Sequence, residues 1–96
     1  MSDTITTAVA ALNDKLAGRS IDGTAKFVIQ GEGSVVIDDS GARAGDDDTD
    51  VTLTADADTF QAIMDGDMDP TAAFMSGKLS VDGDMGMAMK LGSVLS

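Results

Sequence analysis

The spacing of apolar residues changes near Gly23 from a helical to an alternating pattern, and that change commits the chain to mixed α and β structure. Before it, Ile5, Val9, Leu12 and Leu16 fall four, three and four residues apart, on one face of an amphipathic helix within residues 4–17. Gly18 then predicts the end of that helix, and Ser20-Ile21-Asp22-Gly23 a turn. After it, Ala25, Phe27 and Ile29 share one face of an extended run, while Lys26 and Gln30 point the other way. Gly31-Glu32-Gly33 is a short connection and Ser34-Val35-Val36-Ile37-Asp38 the next strand, so an antiparallel hairpin is expected. A turn at Ser40-Gly41 leads to a short third strand near residues 42–44.

The remainder punctuates itself. Asp46-Asp47-Asp48-Thr49-Asp50 predicts an exposed loop, because adjacent carboxylates cannot be buried cheaply. Val51-Thr52-Leu53-Thr54-Ala55 alternates as a fourth strand. Asp56 predicts the cap of a helix carrying Phe60, Ile63 and Met64 and ending at Gly66. Asp69-Pro70 opens a short helix through Ala72, Phe74 and Met75, closed by Gly77. Lys78-Leu79-Ser80-Val81-Asp82 is a fifth strand. Asp84 then caps a last helix holding Met85, Met87, Met89, Leu91, Val94 and Leu95. Hairpin-linked strands outnumber a βαβ series. The expected fold is therefore α+β, a five-stranded, mostly antiparallel sheet with helices covering one face, formed by residues 1–96 as a single domain.

The inventory of side chains removes whole classes of chemistry. There is no cysteine and no histidine, so a Ser-His-Asp triad, a Cys-His pair and a zinc hydrolase site are all excluded. Seventeen acidic residues against six basic ones leave a net charge of −11, which repels phosphate backbones and anionic headgroups. Nucleic acid is not an expected partner, and membrane contact should be transient at most. Asp46, Asp48 and Asp50, like Asp65, Asp67 and Asp69, alternate as calcium ligands do. An EF-hand wants glycine and glutamate where the first set has Val51 and Ala57 and the second has Pro70 and Ser76. No metal, cofactor or catalytic residue is expected. Gly31-Glu32-Gly33 joins two strands and lacks the Gly-Lys-Ser/Thr of a phosphate loop. No run approaches the roughly 20 apolar residues of a membrane span. Met1-Ser2-Asp3-Thr4 is acidic and Val94-Leu95-Ser96 is not the Ser-Lys-Leu peroxisomal address, so the expected compartment is the cytoplasm.

What remains is a bias toward methionine. Six of the seven methionines follow residue 60, while the aromatics are only Phe27, Phe60 and Phe74. Methionine is flexible and polarizable and lines surfaces that adapt to variable apolar partners, though it also fills aromatic-poor cores. On the last helix Met85, Met89 and Gly92 form one stripe and Met87, Leu91, Val94 and Leu95 another. That arc is wider than one packing face needs, so the helix is expected to cover a ligand or another subunit besides the sheet.

The run from Asp65 to Asp84, with Asp69-Pro70 opening a helix, Phe74-Met75-Ser76-Gly77-Lys78-Leu79 at the junction and Gly83-Asp84 after the strand, resembles the late segment of the sterol carrier protein-2 family. Gly23-Thr24-Ala25-Lys26-Phe27-Val28-Ile29 and Asp50-Val51-Thr52-Leu53-Thr54-Ala55-Asp56 are also similar, so the resemblance covers essentially the whole chain. It implies an apolar tunnel between sheet and helices that holds a sterol, fatty acid, acyl-CoA or phospholipid, in a domain that also occurs as an accessory part of larger enzymes. This chain is short for the family, which suggests a truncated tunnel, and its acidity suits a bacterial protein. The expected lining is Phe27, Ile29, Val35, Ile37, Phe60, Ile63, Met64, Phe74, Met75, Met85 and Met89, some of which serve as ordinary core. The expected function is non-enzymatic carriage of a long-chain apolar ligand. The alternative is an interaction module whose apolar face meets an enzyme partner or a second copy.

Overall fold

The computed structural model describes residues 3–17 and 23–95. Its elements are α1 (Asp3–Leu16), β1 (Ala25–Ile29), β2 (Gly33–Asp38), β3 (Gly41–Ala44), β4 (Val51–Ala55), α2 (Ala57–Asp65), α3 (Pro70–Met75), β5 (Leu79–Gly83) and α4 (Met85–Leu95). The expected stop at Gly18, the turn at residues 20–22 and the side chain of Leu95 lie outside the described residues.

The five strands form one sheet in the order β3-β2-β1-β4-β5. Three of its pairings are antiparallel, and β1 pairs with β4 in parallel. The parallel pair arises because the β2–β3 hairpin occupies one edge of β1, and the chain returns across residues 45–50 to the other edge. Registers align the apolar positions in rows. Ala44, Val35, Phe27, Leu53 and Val81 form one row across all five strands, and Ala42, Ile37, Ala25 and Val51 another. These rows make up most of the covered face, and the core lies between them and the helices.

Helix α1 packs over β2 and β3 and buries Ile5, Ala8, Leu12 and Leu16. Ala8 takes the place expected of Val9, which is only half-buried, and spacings of three, four and four still keep the buried residues on one face. Asn13 fixes its height above the sheet edge. Its side-chain carbonyl accepts from the Ala42 N–H at 2.9 Å, and its amide donates to the Ala42 carbonyl at 3.1 Å.

The later helices carry the caps expected of them. The Asp56 carboxylate accepts from the Thr59 N–H at 2.7 Å, and Gly66 ends α2 in the left-handed region at φ 82°. Asp69 accepts from the Thr71 N–H at 3.0 Å with Pro70 opening α3. Asp84 accepts from the Gly86 and Met87 N–H groups at 2.8 and 3.3 Å. Gly83 has φ 109°, and a Cβ there would meet the Asp50 carbonyl and come within 3.0 Å of the Val51 Cα, so only glycine lets β5 leave the sheet at this point.

The acidic loop is exposed as expected and is tied down by the scarce cations. Lys26 pairs with Asp46 at 2.9 Å, and Arg43 bridges Asp38 and Asp47. The hydrogen bond from Arg43 holds the Asp38 carboxyl below its ordinary value, helped by the Ser40 N–H. No helix among the described residues is long and apolar enough to cross a membrane.

Candidate functional site

The α3–α4 side of the sheet is not filled. Between β1, β4 and β5 below and α3 and α4 above lies a half-open cavity of about 450 Å³. Its floor is Phe27, Leu53, Leu79 and Val81, the inward positions of three adjacent strands. Ile63 of α2 closes its back. Phe74 and Met75 come from α3, and Met85, Ala88 and Met89 from α4.

The rim is apolar yet wet. Phe74 is 42 % exposed, Met85 48 %, Met89 74 % and Met75 79 %, whereas Phe27, Leu53, Ile63 and Leu79 are buried. Helix α4 explains the split. Met87 and Leu91 point into the core, and the stripe carrying Met85, Met89 and Gly92 faces the cavity. The two stripes expected from the sequence thus have different jobs. Methionines standing in solvent around an apolar hollow leave hydrophobic surface unburied, a stability loss that close packing would avoid.

Polar groups gather at one end. Asp69, Pro70 and Thr71 at the start of α3 meet Gly92 and Ser93 near the end of α4, where a Cβ on Gly92 would lie 3.9 Å from the Pro70 Cβ. Among the described residues, Asp69 is the only charged one lining the cavity. The lining holds, among the described residues, no paired nucleophile and base, and no cluster of acidic side chains is placed to hold a metal ion. Such an arrangement offers apolar walls along its length and hydrogen-bonding groups at one end.

Six of the eleven residues nominated from the sequence come together here: Phe27, Ile63, Phe74, Met75, Met85 and Met89. Phe60 and Met64 turn instead toward a second, smaller hollow between α1 and α2, whose lining includes Asp3, Thr4, Thr7, Asp58 and Gln61. The Phe60 ring meets Phe27 edge-on, with centroids 4.7 Å apart, so it supports the back of the first cavity from behind. Val35 and Ile37 lie on β2 on the α1 side, and Ile29 on adjoining β1, all fully buried and lining neither hollow. Sequence reasoning missed Leu53, Leu79 and Val81. Their alternation was legible, but Leu53 reaches Phe27 through the parallel β1–β4 register and Val81 and Leu79 follow through the β4–β5 pairing, neither of which alternation can reveal.

A mixed sheet with one helical cover, and an apolar hollow between the layers without converging reactive groups, defines a small ligand-binding fold. The chain belongs to the SCP-2 sterol transfer family, whose sequence profile matches residues 5–96. It is 38 % identical over 96 residues to hydroxysteroid dehydrogenase-like protein 2 of Xenopus tropicalis, an alignment that takes in 92 % of this chain and 23 % of that protein. The chain therefore spans less than a quarter of a relative in which the matched region is one part. Among solved structures, the sterol carrier protein 2-like 2 of Aedes aegypti superposes with a TM-score of 0.80 at 21 % identity, covering 95 % of each chain. Sterol carrier protein-2 of the same mosquito, in complex with palmitate, gives 0.77 at 25 % identity over 100 % of this chain and 97 % of that one.

Proposed function

We propose that this domain binds and carries a long-chain apolar ligand in the cavity between β1, β4 and β5 and helices α3 and α4. The observation that carries the reading is the cavity's wall: buried aliphatic and aromatic side chains below and exposed, flexible Phe74, Met75, Met85 and Met89 above. A volume near 450 Å³ falls within the range of small-molecule sites. The palmitate held by the mosquito relative supports a ligand of this length class. In this reading Phe27, Ile63, Phe74, Met75, Met85 and Met89 touch the ligand together with Leu53, Leu79 and Val81. Ile29, Val35, Ile37, Phe60 and Met64 form the wall behind them. The rim methionines fold over the occupant and turn the open cleft into a short tunnel.

Affinity follows from the same surfaces. A dozen methylenes contribute roughly 10 kcal/mol gross at about 0.8 kcal/mol each. Association and ordering costs of about 4–15 kcal/mol take back much of that, so affinity is moderate and exchange rapid enough for carriage. Binding without covalent chemistry suits a chain with neither cysteine nor histidine.

Native mass spectrometry of the purified protein, followed by thermal melts with palmitate, oleoyl-CoA and cholesterol, tests this. Ligand at 100 times its Kd should stabilise the fold by about 2.7 kcal/mol, a rise in Tm of roughly 10 °C or more. An empty protein whose melt ignores every lipid would overturn it. The exposed Met75 and Met89, and relatives in which the domain is one part of a longer chain, favour a second reading in that event. The rim would then be a contact surface for an enzyme partner or a second copy, shown by a concentration-dependent dimer indifferent to lipid.

A further inference from the structure

The two edges of the sheet are finished differently. At the β3 edge, the Asn13 side chain both accepts from and donates to the backbone of Ala42, standing where a sixth strand would pair. The β5 edge has no such stopper. Hydrogen bonding alternates along an antiparallel pair, and the Asp84 N–H donates to the Asp50 carbonyl at 3.0 Å. Asp82 and Ser80 therefore turn their backbone groups toward β4, and Val81 and Gly83 turn theirs outward. Gly83 is exposed and Val81 half-buried, and among the described residues no other element bonds to their outward groups.

The surfaces on either side of this edge select the strand that fits it. On the covered side, the apolar row of Ala44, Val35, Phe27 and Leu53 ends at Val81, which shares the cavity wall with Phe74, Met75 and Met85. A side chain placed next to Val81 meets apolar surface. On the uncovered side, the row of Arg43, Val36, Lys26 and Thr52 ends at exposed Asp82. Arg43 and Lys26 are held by Asp38, Asp47 and Asp46, whereas Asp82 has no ion pair among the described residues. A lysine or arginine beside it would supply the missing charge. A second copy would instead bring another net charge of −11 to the edge.

We propose that β5 takes up an extended segment of a partner protein, with alternating apolar and basic residues, as a sixth strand of the sheet. Its apolar side chains lie on the covered face beside Val81, and its basic ones lie on the other face beside Asp82. Backbone hydrogen bonds to Val81 and Gly83 hold the segment, and the alternation sets its register. Docking at this edge needs no ligand in the cavity, so its failure would leave the lipid reading standing.

A heptapeptide alternating lysine and valine, titrated at low salt into the isotope-labelled protein, tests this. Shifts should centre on the Val81 and Gly83 amides, whose hydrogen exchange should slow at least about fivefold at saturation. The same peptide with every backbone nitrogen methylated keeps its charge and should bind at least about tenfold more weakly. Asp82→Lys, at an exposed side chain, should weaken the lysine peptide about threefold and strengthen its glutamate counterpart by a similar factor. Equal binding by the methylated peptide would overturn the proposal, because charge attraction alone would then account for it. An absence of binding, shifts centred on the acidic loop or β3, or a preference indifferent to Asp82→Lys would do the same. So would protection of these amides without peptide in a concentration-dependent dimer, which would give the edge to a second copy.

Discussion

Strand β1 divides the covered face of the sheet into two halves built on different terms. Toward β2 and β3, α1 lays Ile5, Ala8, Leu12 and Leu16 onto Val35, Ile37 and Ala42, and every one of these side chains is buried. Toward β4 and β5, the floor is equally apolar, but α3 and α4, which bury Ala73, Met87 and Leu91, leave Phe74, Met75, Met85 and Met89 half or largely in solvent. The two halves share a sheet, a register and a layer order. They differ in what the helices carry: stiff or small aliphatics on a long helix in one, flexible methionines on two shorter helices in the other. Close packing in the first half stabilises the fold, and incomplete packing in the second leaves room for an occupant. Substitutions should therefore separate stability from binding according to the half in which they fall.

The largest effect is expected from Leu12→Ala, at a fully buried position in the closed half. Removing its branched end leaves a cavity in a rigid setting and should cost about 2–5 kcal/mol in urea unfolding. In a domain this size that lowers Tm by more than about 8 °C. The Kd for a ligand, measured on the fraction that remains folded, should stay within about twofold of the parent. A binding loss as large as the stability loss would erase the division between the halves.

Helix α2 joins them, and its cap gives a test that depends on pH. Hydrogen bonds from the Thr59 backbone and side chain to Asp56 lower its pKa from the ordinary 3.8. A group with a depressed folded value stabilises the fold above its unfolded pKa and loses that contribution as pH falls through the folded one. Asp56→Ala should accordingly destabilise the protein at pH 7 and by nearly as much at pH 5. The difference from the parent should shrink below about pH 3.8. Urea melts at pH 7, 5, 4 and 3 check the trend, and a constant difference down to pH 3 would remove the cap from the account.

Gly92→Ala sharpens the contrast because its two effects should oppose each other. The residue is inside α4, where alanine is favoured over glycine by about 0.5–1 kcal/mol, and the new methyl would meet the Pro70 Cβ at an ordinary 3.9 Å. Tm should rise by a few degrees. The same methyl narrows the cavity beside Asp69 and Thr71, so ligand affinity should fall about two- to fivefold. A variant both more stable and tighter-binding would show that the junction of α3 and α4 is not part of the site.

Local signals made most of this architecture legible before the structure. The helical period of residues 4–17, the alternation in the strands and the caps at Asp56, Asp69 and Asp84 each reflect a requirement met within a few residues. The two stripes of α4 were legible for the same reason. What stayed hidden depends on tertiary pairing. Ile29, Val35 and Ile37 have the same pattern as Phe27, and nothing in their spacing says that α1 covers them while the cavity opens over Phe27. The parallel pairing of β1 with β4 brings Leu53 beside Phe27, and β5 brings Val81 beside Leu53. Alternation names the inward residues of each strand without naming their neighbours.

The smallest effect on stability should come from the residues whose exposure defines the open half. Met75 and Met89 are the two most exposed large apolar side chains in the described structure. Met75→Ala with Met89→Ala removes little buried surface, so unfolding should change by less than about 0.5 kcal/mol for each. If these side chains fold over a bound chain, each loses several methylene contacts with it, and together they should weaken binding roughly tenfold. Leu12→Ala should do the reverse, lowering stability while leaving binding near that of the parent. Titration of the parent and the double variant with one alkyl ligand, beside urea melts of both, reads the two quantities separately. Unchanged affinity in the double variant would confine the ligand to the buried floor of Phe27, Leu53, Ile63 and Leu79. The methionine rim would then have to be explained as a surface for another protein, because exposed apolar side chains that contribute neither packing nor ligand contacts only lower solubility.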